Sequence, residues 1–126
     1  NVLISGEGYG LSVVEAMACG KPGILLDHSG AGEQGRLSNG AMLVKCNPQY
    51  VTGKYSTERP YPDENDLLMK MDLLYNRPDL REKLGKAAYD WAQTMTWDSA
   101  CDMWHNLIME MMYPLRKPQV VLEKVV

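Results

Sequence analysis

The sequence predicts an α/β fold built on a parallel sheet, and three observations lead to this prediction. Short apolar runs with the character of buried strands occur at Val2–Ile4, Gly23–Asp27 and Ala41–Lys45. A helical pattern separates the first run from the second, and a glycine-rich loop or short helix from His28 to Gly35 separates the second from the third. Strands that are apolar on both faces and alternate with helices are typical of parallel α/β sheets.

A first helix is predicted to begin at Leu11 and to stop at Gly20. Leu11, Val14 and Ala18 recur at helical spacing, so they are expected to form the face that packs on the core. Gly20, with Pro22 close behind it, marks the end of the helix, because glycine adopts the left-handed conformation of a helix C-terminus and proline cannot continue a helix.

The segment 46–62 changes character, because three prolines and several Thr, Ser and Gly positions interrupt it. It is predicted to be a long loop without strand or helix. After Asp63 apolar residues recur with a period of 3.6, which predicts amphipathic helices. Pro78 suits the first turn of one helix, and Thr96 suits the N-cap of the last. The predicted inward stripes are Leu67, Met71 and Leu74; Leu80, Leu84, Ala87 or Ala88, Trp91 and Met95; and Trp97, Cys101, Trp104, Ile108 and Met111 or Met112.

The composition is that of one packed globular domain. The 126 residues are 45% hydrophobic and 23% charged, which excludes a disordered, collagen-like or disulfide-scaffold chain. The net charge of −3 leaves no basic stripe, so no nucleic-acid partner is expected. The longest aliphatic run, Ile24–Leu26, is far shorter than the roughly 20 residues that span a bilayer, and no signal-peptide pattern opens the chain. A cytoplasmic location without a transmembrane segment is therefore expected.

The three cysteines, Cys19, Cys46 and Cys101, are an odd number without a C-x-x-C pair or a histidine cluster. This pattern argues against a disulfide framework and a structural zinc site, so we expect buried structural cysteines in a reducing compartment. The nine methionines and three tryptophans fall largely on helical stripes and are expected to pack in the core. No metal site and no cofactor are predicted.

The glycine-rich segment Gly6–Ser12 is the most informative stretch, and it lies between a strand end and a helix start. Glycines at alternate positions leave main-chain N–H groups accessible, and the positive end of the helix dipole points to the same place. In an open parallel sheet, ligands gather beyond the carboxyl ends of the strands. The segment therefore predicts a phosphate or pyrophosphate site. On the glycines alone, a tight strand-to-helix connection is an equal alternative.

Two carboxylates accompany this segment and change the expected ligand. Glu7 lies in the loop and Glu15 near the second turn of the helix, so both are expected to face the same mouth. A carboxylate beside a phosphate is unfavourable, but an ionised carboxylate accepts hydrogen bonds from two sugar hydroxyls at once. Together these residues predict a sugar nucleotide. Taken singly, either glutamate is also explained as an exposed carboxylate stabilised by the helix N-terminus.

The block from Glu7 to Pro22, EGYGLSVVEAMACGKP, resembles the signature of the retaining GT-B glycosyltransferases of family 4, whose two glutamates are separated by seven residues. The resemblance implies a partial Rossmann-like parallel sheet of a GT-B C-terminal domain with C-terminal helices. Residues 1–126 would form a partial nucleotide-sugar-binding domain, with an α/β core over 1–45, a loop over 46–62 and a helical part over 63–126. Further matches are Asp27, Gly30 and Glu33 in that family's Asp-x-x-Gly-x-x-Glu loop, Asn39-Gly40 before Met42-Leu43-Val44, and Thr96-Trp97.

The resemblance also implies roles for residues at matching positions. Glu15 would bind the ribose hydroxyls of the nucleotide, and Glu7, the implied catalytic residue, would contact donor-sugar hydroxyls near the reacting carbon. The family transfers a sugar with retention and without a metal, and the departing phosphate takes the proton of the acceptor. The implied donor is a UDP-, GDP- or ADP-sugar, and the acceptor is unknown. The main-chain amides implied to hold the donor sugar and phosphates are those of Gly8, Tyr9, Gly10, Leu11 and Ser12.

Departures from the family pattern shape the functional prediction. An Arg and a Lys that hold the phosphates, a histidine and the N-terminal acceptor domain are expected to precede Asn1. Ser29 stands where the family usually has a second glycine, and segment 46–62 is longer than in most members. The chain is therefore expected to be the latter part of a donor-binding domain, a glycosyltransferase fragment that binds donor weakly and is inactive without the missing domain.

Two other interpretations stay open at this point. A nicotinamide dinucleotide site would use Asp27 for the ribose, but a fingerprint anchored at Gly6 and Gly8 requires glycine where the sequence has Leu11. Tight NADH binding without response to sugar nucleotides would favour that site. A truncated donor domain that serves as a binding or interaction module is the second alternative, and mixing with a full N-terminal domain would distinguish it by the absence of turnover.

Overall fold

The computed structural model describes residues 2–3, 8–52 and 57–113. Contacts between residues divide the chain into two compact units, Asn1–Met95 and Thr96–Val126. In the described residues, the first unit contains a parallel sheet, an antiparallel hairpin and four helices, and the second contains one helix. The predicted α/β fold with a parallel sheet is therefore confirmed. Ile4, predicted to belong to the first strand, lies outside the described residues.

The sheet consists of β1 (Val2–Leu3), β2 (Gly23–Leu26) and β3 (Ala41–Val44) in the order β1-β2-β3, and both pairs of neighbours are parallel. All residues of β2 are buried, as expected for a central strand covered on both faces. Leu25 packs in one buried cluster, whereas its neighbours in β2 pack in another, because successive side chains of a strand point to opposite faces. The carboxyl ends of the three strands lie at one edge of the sheet.

The helix α1 (Leu11–Ala18) connects β1 to β2 and stops where the sequence predicts. Gly20 has a φ of 68° and donates its N–H to the Met17 carbonyl at 2.8 Å, while the Lys21 N–H donates to the Ala16 carbonyl at 3.0 Å. This pair of bonds is a Schellman motif, which favours glycine because residues with a Cβ seldom adopt a positive φ.

The predicted inward face of α1 is wrong. Val13 and Met17 are buried, whereas Leu11 is 66% exposed and Ala18 is exposed too. Nearly every residue of this helix is apolar, so the sequence pattern does not distinguish one face from the other. Tertiary contact decides the question, because Val13 and Met17 join the buried cluster around Leu25.

The helix α2 (Ser29–Ser38) connects β2 to β3 and resolves the choice between a glycine-rich loop and a short helix in favour of a helix. It packs closely on the sheet, because a Cβ on Gly35 would lie 2.5 Å from Cδ2 of Leu43. Asn39 ends the helix with a φ of 50°, a conformation that asparagine tolerates better than most residues.

Segment 46–62 is not the loop that its prolines predict. β4 (Cys46–Thr52) and β5 (Thr57–Pro62) pair as an antiparallel hairpin. The pairing is irregular between Asn47 and Tyr50, around Pro48. Proline is compatible with a bulge or with an outer strand edge where no ladder N–H is needed, and Thr, Tyr and Val favour strands. The prolines therefore shape the hairpin without preventing it.

Two helices follow the hairpin, as predicted. α3 (Glu64–Asn76) begins after Asp63, whose carboxylate accepts a hydrogen bond from the Asp66 N–H at 3.0 Å and so caps the helix. α4 (Pro78–Ala92) begins at Pro78, which suits the first helical position because no N–H is needed there.

Two buried clusters cover the two faces of the sheet. Leu25 packs with residues of α1, α2 and α4, and Ile24 and Leu26 pack with residues of α3 and α4. This burial of apolar surface is the main favourable term in folding. Of the predicted stripes, Leu74 and Ala88 are buried, Leu67, Leu80, Leu84, Ala87 and Trp91 are half-buried, and Met71 and Met95 are exposed.

α4 lies very close to the loops at the amino-terminal end of the sheet. A Cβ on Gly85 would be 2.5 Å from the Gly20 carbonyl oxygen, and a Cβ on Gly40 would be 2.5 Å from Cα of Ala88. Gly20 precedes β2 and Gly40 precedes β3. Because both contacts are made to backbone atoms, no rotation of a side chain can relieve them.

The helix α5 (Trp97–Met112) belongs to the second unit, and its N-terminus agrees with the prediction. Oγ1 of Thr96 accepts from the Ser99 N–H at 3.1 Å, and Oγ of Ser99 accepts from the Thr96 N–H at 3.2 Å, which forms a capping box. The predicted inner face is wrong, because no residue of α5 is buried. Trp97 is 86% exposed. None of the described helices combines the length and apolarity required to cross a membrane.

The expected burial of methionine, tryptophan and cysteine is mostly wrong. Met17 is buried and Met42 and Trp91 are partly buried, whereas the other seven methionines and the other two tryptophans are exposed. Cys19 and Cys101 are exposed free thiols, and the free thiol Cys46 is half-buried. Helical periodicity identifies residues that share a face, but it does not tell whether another element covers that face.

Candidate functional site

The predicted site lies at the carboxyl-terminal end of the sheet, where the chain enters α1. Gly8 and Tyr9 are exposed, and Gly10 precedes α1 with φ 74° and ψ 58°. This left-handed conformation is readily adopted by glycine, and it turns the chain sharply into the helix. The sequence motif and the fold therefore agree on the position of the glycine-rich turn. Gly6 and Glu7, the first residues of the predicted motif, lie outside the described residues.

The N-terminus of α1 carries hydrogen-bond donors without a capping side chain. Gly10 provides no side-chain cap, and the first turn contains no acidic residue. The first N–H bond within the helix runs from Val13 to the Gly10 carbonyl at 2.9 Å, so the N–H groups of Leu11 and Ser12 precede the intrahelical ladder. Both residues are exposed. A helix start of this kind attracts anions through its N–H groups and its dipole.

Space is available beside this helix start. A Cβ on Gly8 would meet no atom of the described residues within 4 Å. The glycine is therefore not required by contacts within the described part of the protein. An absent side chain at this position leaves the main chain open to a ligand.

Glu15 lies on the same exposed side of α1 as the helix start. It follows Ser12 by three residues and Leu11 by four, and residues at these spacings are neighbours on a helix surface. All three are exposed, whereas Val13 is buried on the other side. Glu15 therefore shares an exposed side of α1 with the helix start, and the binding roles of Glu15 and Glu7 stay predictions.

Gln34 of α2 contacts the glycine-rich turn and was missed by the sequence analysis. Its side chain is almost wholly buried, with 4% of the residue exposed, and its Nε2 donates a hydrogen bond to the Tyr9 carbonyl oxygen. The hydroxyl of Tyr9 also approaches Sδ of Met95 at 3.8 Å, so this residue is contacted at both ends. Helical spacing could have indicated that Gln34 is buried, because it lies three residues after Ala31 and four before Ser38, on the same face of α2.

An ion pair lies at the end of β2, beside the start of α2. Asp27 pairs with Arg36, which reaches back along α2. A Cβ on Gly32 would be 3.1 Å from Oδ1 of Asp27 and 3.2 Å from Nη2 of Arg36, so a small residue here lets the two side chains meet. Both partners are about half exposed, and exposed pairs contribute little to stability, typically about 0–1 kcal/mol.

Ser29, which the resemblance expects to stand in the place of a glycine, has a left-handed backbone. Its φ is 51°, a region that residues with a Cβ adopt uncommonly. Ser29 and Glu33 are exposed, and Gly30 is half-buried. The backbone at Ser29 is thus one that favours glycine.

The end of β3 is anchored to α3. The Asp66 carboxylate accepts hydrogen bonds from the Lys45 N–H at 2.8 Å and from Nζ of Lys70. The bond from Lys70, followed by the bond from Lys45, lowers the pKa of Asp66. The Asp63 N–H in turn donates to the Lys45 carbonyl at 2.8 Å. These bonds fix the strand end that borders the candidate site.

The Cys46 thiol lies between the ends of β2 and β3. Its Sγ is 3.4 Å from the Asp27 carbonyl oxygen, and burial, followed by the charge of Asp27, raises the pKa of the thiol. A raised pKa disfavours the thiolate, which is the nucleophilic form. Within 2–3, 8–52 and 57–113, no group of three or more His, Cys, Asp or Glu side chains is arranged to hold a metal ion.

Comparison with known proteins gives a family for this arrangement. The profile of the family described as glycosyl transferases group 1 matches residues 2–91, well over half of the chain. A protein of Methanocaldococcus jannaschii named as an uncharacterized glycosyltransferase is 33% identical over 95 residues, which cover 73% of this chain and 22% of that protein. The chain therefore spans about a fifth of the length of this relative. No solved structure matches the chain.

Proposed function

Since the chain belongs to the glycosyl transferases group 1, we propose that its residues 7–15 recognise the sugar nucleotide donor of a retaining glycosyl transfer of the family 4 type. The observation that carries this proposal is the exposed start of α1. There the N–H groups of Leu11 and Ser12 precede the helical ladder, and no atom of the described residues lies within 4 Å of the place that a Cβ on Gly8 would take. A diphosphate is the part of a sugar nucleotide that such donors bind best.

The two glutamates are proposed to bind the sugars at either end of that diphosphate. Glu15 is exposed one helical turn beyond Ser12, within reach of a ribose attached to the phosphates. Glu7 is proposed to contact donor-sugar hydroxyls beside the reacting carbon. A carboxylate accepts hydrogen bonds from two hydroxyls at once, so the two glutamates are proposed to face the hydroxyls of the sugars and not the phosphates.

The transfer itself is proposed to proceed without a metal. As the bond from the sugar carbon to the acceptor oxygen forms, the bond to the phosphate oxygen breaks, and the departing phosphate takes the acceptor proton. The donors at the start of α1 are aimed where negative charge develops on that phosphate, and such preorganised donors lower the barrier. The chain alone is proposed to bind donor weakly and to lack activity, because further phosphate-holding cations and the acceptor site are expected in other segments of the complete enzyme.

Calorimetric titration of the 126-residue chain tests donor recognition. UDP, GDP, ADP and their glucose conjugates are titrated in turn, with NADH as the rival ligand. The proposal expects saturable binding of at least one sugar nucleotide, and Glu15→Gln is expected to weaken that binding about tenfold, since a lost hydrogen bond to a charged group is worth at least about 1.4 kcal/mol. Tight NADH binding with no response to the sugar nucleotides would refute it.

A matched control separates the site from general charge effects. Glu82→Gln removes one exposed carboxylate from α4 and is expected to leave the affinity unchanged. An equal loss of affinity in both variants would contradict the role of Glu15. Sugar transfer by the 126-residue chain without another domain would refute the proposed inactivity.

A further inference from the structure

We propose that Gln34 is a positioning residue for the donor site and that it acts through the main chain of the glycine-rich turn. This inference rests on the proposed function. Gln34 lies on α2, whereas the turn leads into α1, and the bond from its Nε2 to the Tyr9 carbonyl joins the two. The residue therefore links the two helices that begin at the carboxyl-terminal end of the sheet.

The bond to Tyr9 fixes the direction of the next N–H group. The Tyr9 carbonyl and the Gly10 N–H belong to one planar peptide unit, in which the two groups point in opposite directions when the bond is trans. A carbonyl held toward the buried Gln34 side chain therefore turns the Gly10 N–H away from α2. Gly10 is also the residue at which the left-handed backbone sets the start of α1. Rotation of this peptide unit would change the directions of the donors that follow.

The hydrogen bonding of Gln34 indicates that its role is to donate a hydrogen bond to the Tyr9 carbonyl. Only Nε2 can face the Tyr9 carbonyl, because two carbonyl oxygens would repel one another. The Oε1 atom is then buried, and it has no hydrogen-bond partner among the described residues. A buried acceptor without a partner destabilises a protein, and an apolar side chain of similar length would avoid that effect. Gln34 is thus unfavourable as a core residue and useful as a donor to Tyr9.

The test compares Gln34→Met with the natural chain, and Gln34→Leu serves as a second apolar variant. UDP, GDP and ADP are the probes, titrated calorimetrically against the 126-residue chain, and thermal unfolding is measured in parallel. We expect affinity for the probe that binds to fall about tenfold, corresponding to about 1.4 kcal/mol, with a melting temperature equal to or higher than that of the natural chain. Unchanged affinity in a folded variant would overturn the proposal.

Ser38→Ala provides the matched control. Ser38 is a buried polar residue of the same helix, and its Oγ accepts from the Gly40 N–H at 3.1 Å at the opposite end of the sheet. This substitution is expected to lower the melting temperature without changing the affinity. If Ser38→Ala weakens binding as much as Gln34→Met does, the effect is a general loosening of α2 and the positioning role is refuted.

A measurement without ligand keeps this inference separate from the proposed function. Amide nitrogen and proton shifts and hydrogen exchange of Gly10, Leu11 and Ser12 are recorded by NMR in both chains. If Gln34→Met changes these amides and leaves the Gly23 amide in β2 unchanged, the positioning role is supported even when no nucleotide binds. Absence of nucleotide binding would refute the donor site alone. Unchanged amides at all positions would overturn the positioning role, whatever the natural chain binds.

Discussion

The two ends of the parallel sheet use glycine for opposite purposes. At the amino-terminal end, Gly40 and Gly85 let α4 approach the loops so closely that a Cβ at either position would be 2.5 Å from a backbone atom. At the carboxyl-terminal end, a Cβ on Gly8 would meet no described atom within 4 Å. The protein itself fills one end, whereas at the other end the described residues leave the main chain of Gly8 accessible. A glycine in the sequence therefore does not by itself reveal its purpose. The structure shows whether the absent side chain makes room for another part of the protein or leaves the main chain open.

The comparison predicts that the amino-terminal end tolerates no side chain at Gly40. In Gly40→Ala the new Cβ would lie 2.5 Å from Cα and 2.6 Å from N of Ala88, so the backbone of α4 must move. We expect a loss of about 3 kcal/mol in the free energy of unfolding, the upper part of the range for overpacked cores. Urea denaturation followed by circular dichroism measures this loss.

A second substitution shows whether the contact at Gly40 is made by backbone. Ala88→Gly, combined with Gly40→Ala, removes the methyl group of Ala88 but leaves its Cα and N in place. The double variant is therefore expected to remain destabilised by most of the same amount. Full recovery of stability would show that only the methyl group of Ala88 opposes the new side chain. The backbone of α4 would then lie farther from Gly40 than the 2.5 Å contact implies.

At the other end of the sheet, Gly8→Ala is expected to separate binding from stability. Because a Cβ on Gly8 would meet no atom of the described residues within 4 Å, we expect the free energy of unfolding to stay within about 0.5 kcal/mol of the natural value. If a donor diphosphate approaches the main chain there, the methyl group blocks it, and we expect affinity for the sugar nucleotide to fall about tenfold. Titration and denaturation of the same samples measure both quantities. Unchanged affinity would show that the ligand does not approach the main chain of Gly8. The N–H groups of Leu11 and Ser12 would then remain as the proposed contacts.

The sequence predicted the backbone plan better than it predicted burial. The strand at Gly23–Leu26 and the helix stop at Gly20 were predictable because each depends on short-range chemistry, namely a continuous apolar run and a residue suited to a positive φ. The face of α1 was not predictable, since Val13 and Val14 are equally apolar and only contact with the core distinguishes them. The exposed Trp97 shows the same limit for the last helix.

The candidate site divides in the same way. The start of α1 after the glycine-rich turn was predictable from spacing, because a helix start and its first turns form a local unit, and the roles of this turn and of Glu15 stay predictions. Gln34 was not found, because its bond to Tyr9 joins a residue of α2 to the turn before α1, 25 positions away in the sequence. The pairing of β4 with β5 was also missed, since it depends on the register between two strands and the prolines suggested interruption.

The smallest expected effect concerns acid, which should act on the carboxyl-terminal end through Asp66. The bond from Lys70, and then the bond from the Lys45 N–H, lowers the pKa of Asp66 in the folded chain below its ordinary value of 3.8. Since the folded pKa lies below the unfolded one, the contribution of Asp66 to stability is fully present well above pH 3.8 and is lost as the pH falls through the lower, folded value. The contacts of Gly40 and Gly85 at the other end involve no titratable group.

Hydrogen exchange of the Lys45 amide, followed by NMR over this acidic range, measures the effect. Protection of Lys45 is expected to decrease as Asp66 becomes protonated, whereas protection of Gly23, whose N–H donates to the Gly40 carbonyl at 3.0 Å, should fall only with global unfolding. Asp66→Asn removes the charge while keeping an oxygen acceptor, so its Lys45 amide should show weaker protection that no longer changes with pH in this range. If the natural chain and Asp66→Asn gave the same pH profile at Lys45, the anchor between β3 and α3 would not depend on the carboxylate. The contrast between the two ends of the sheet would then rest on the glycines alone.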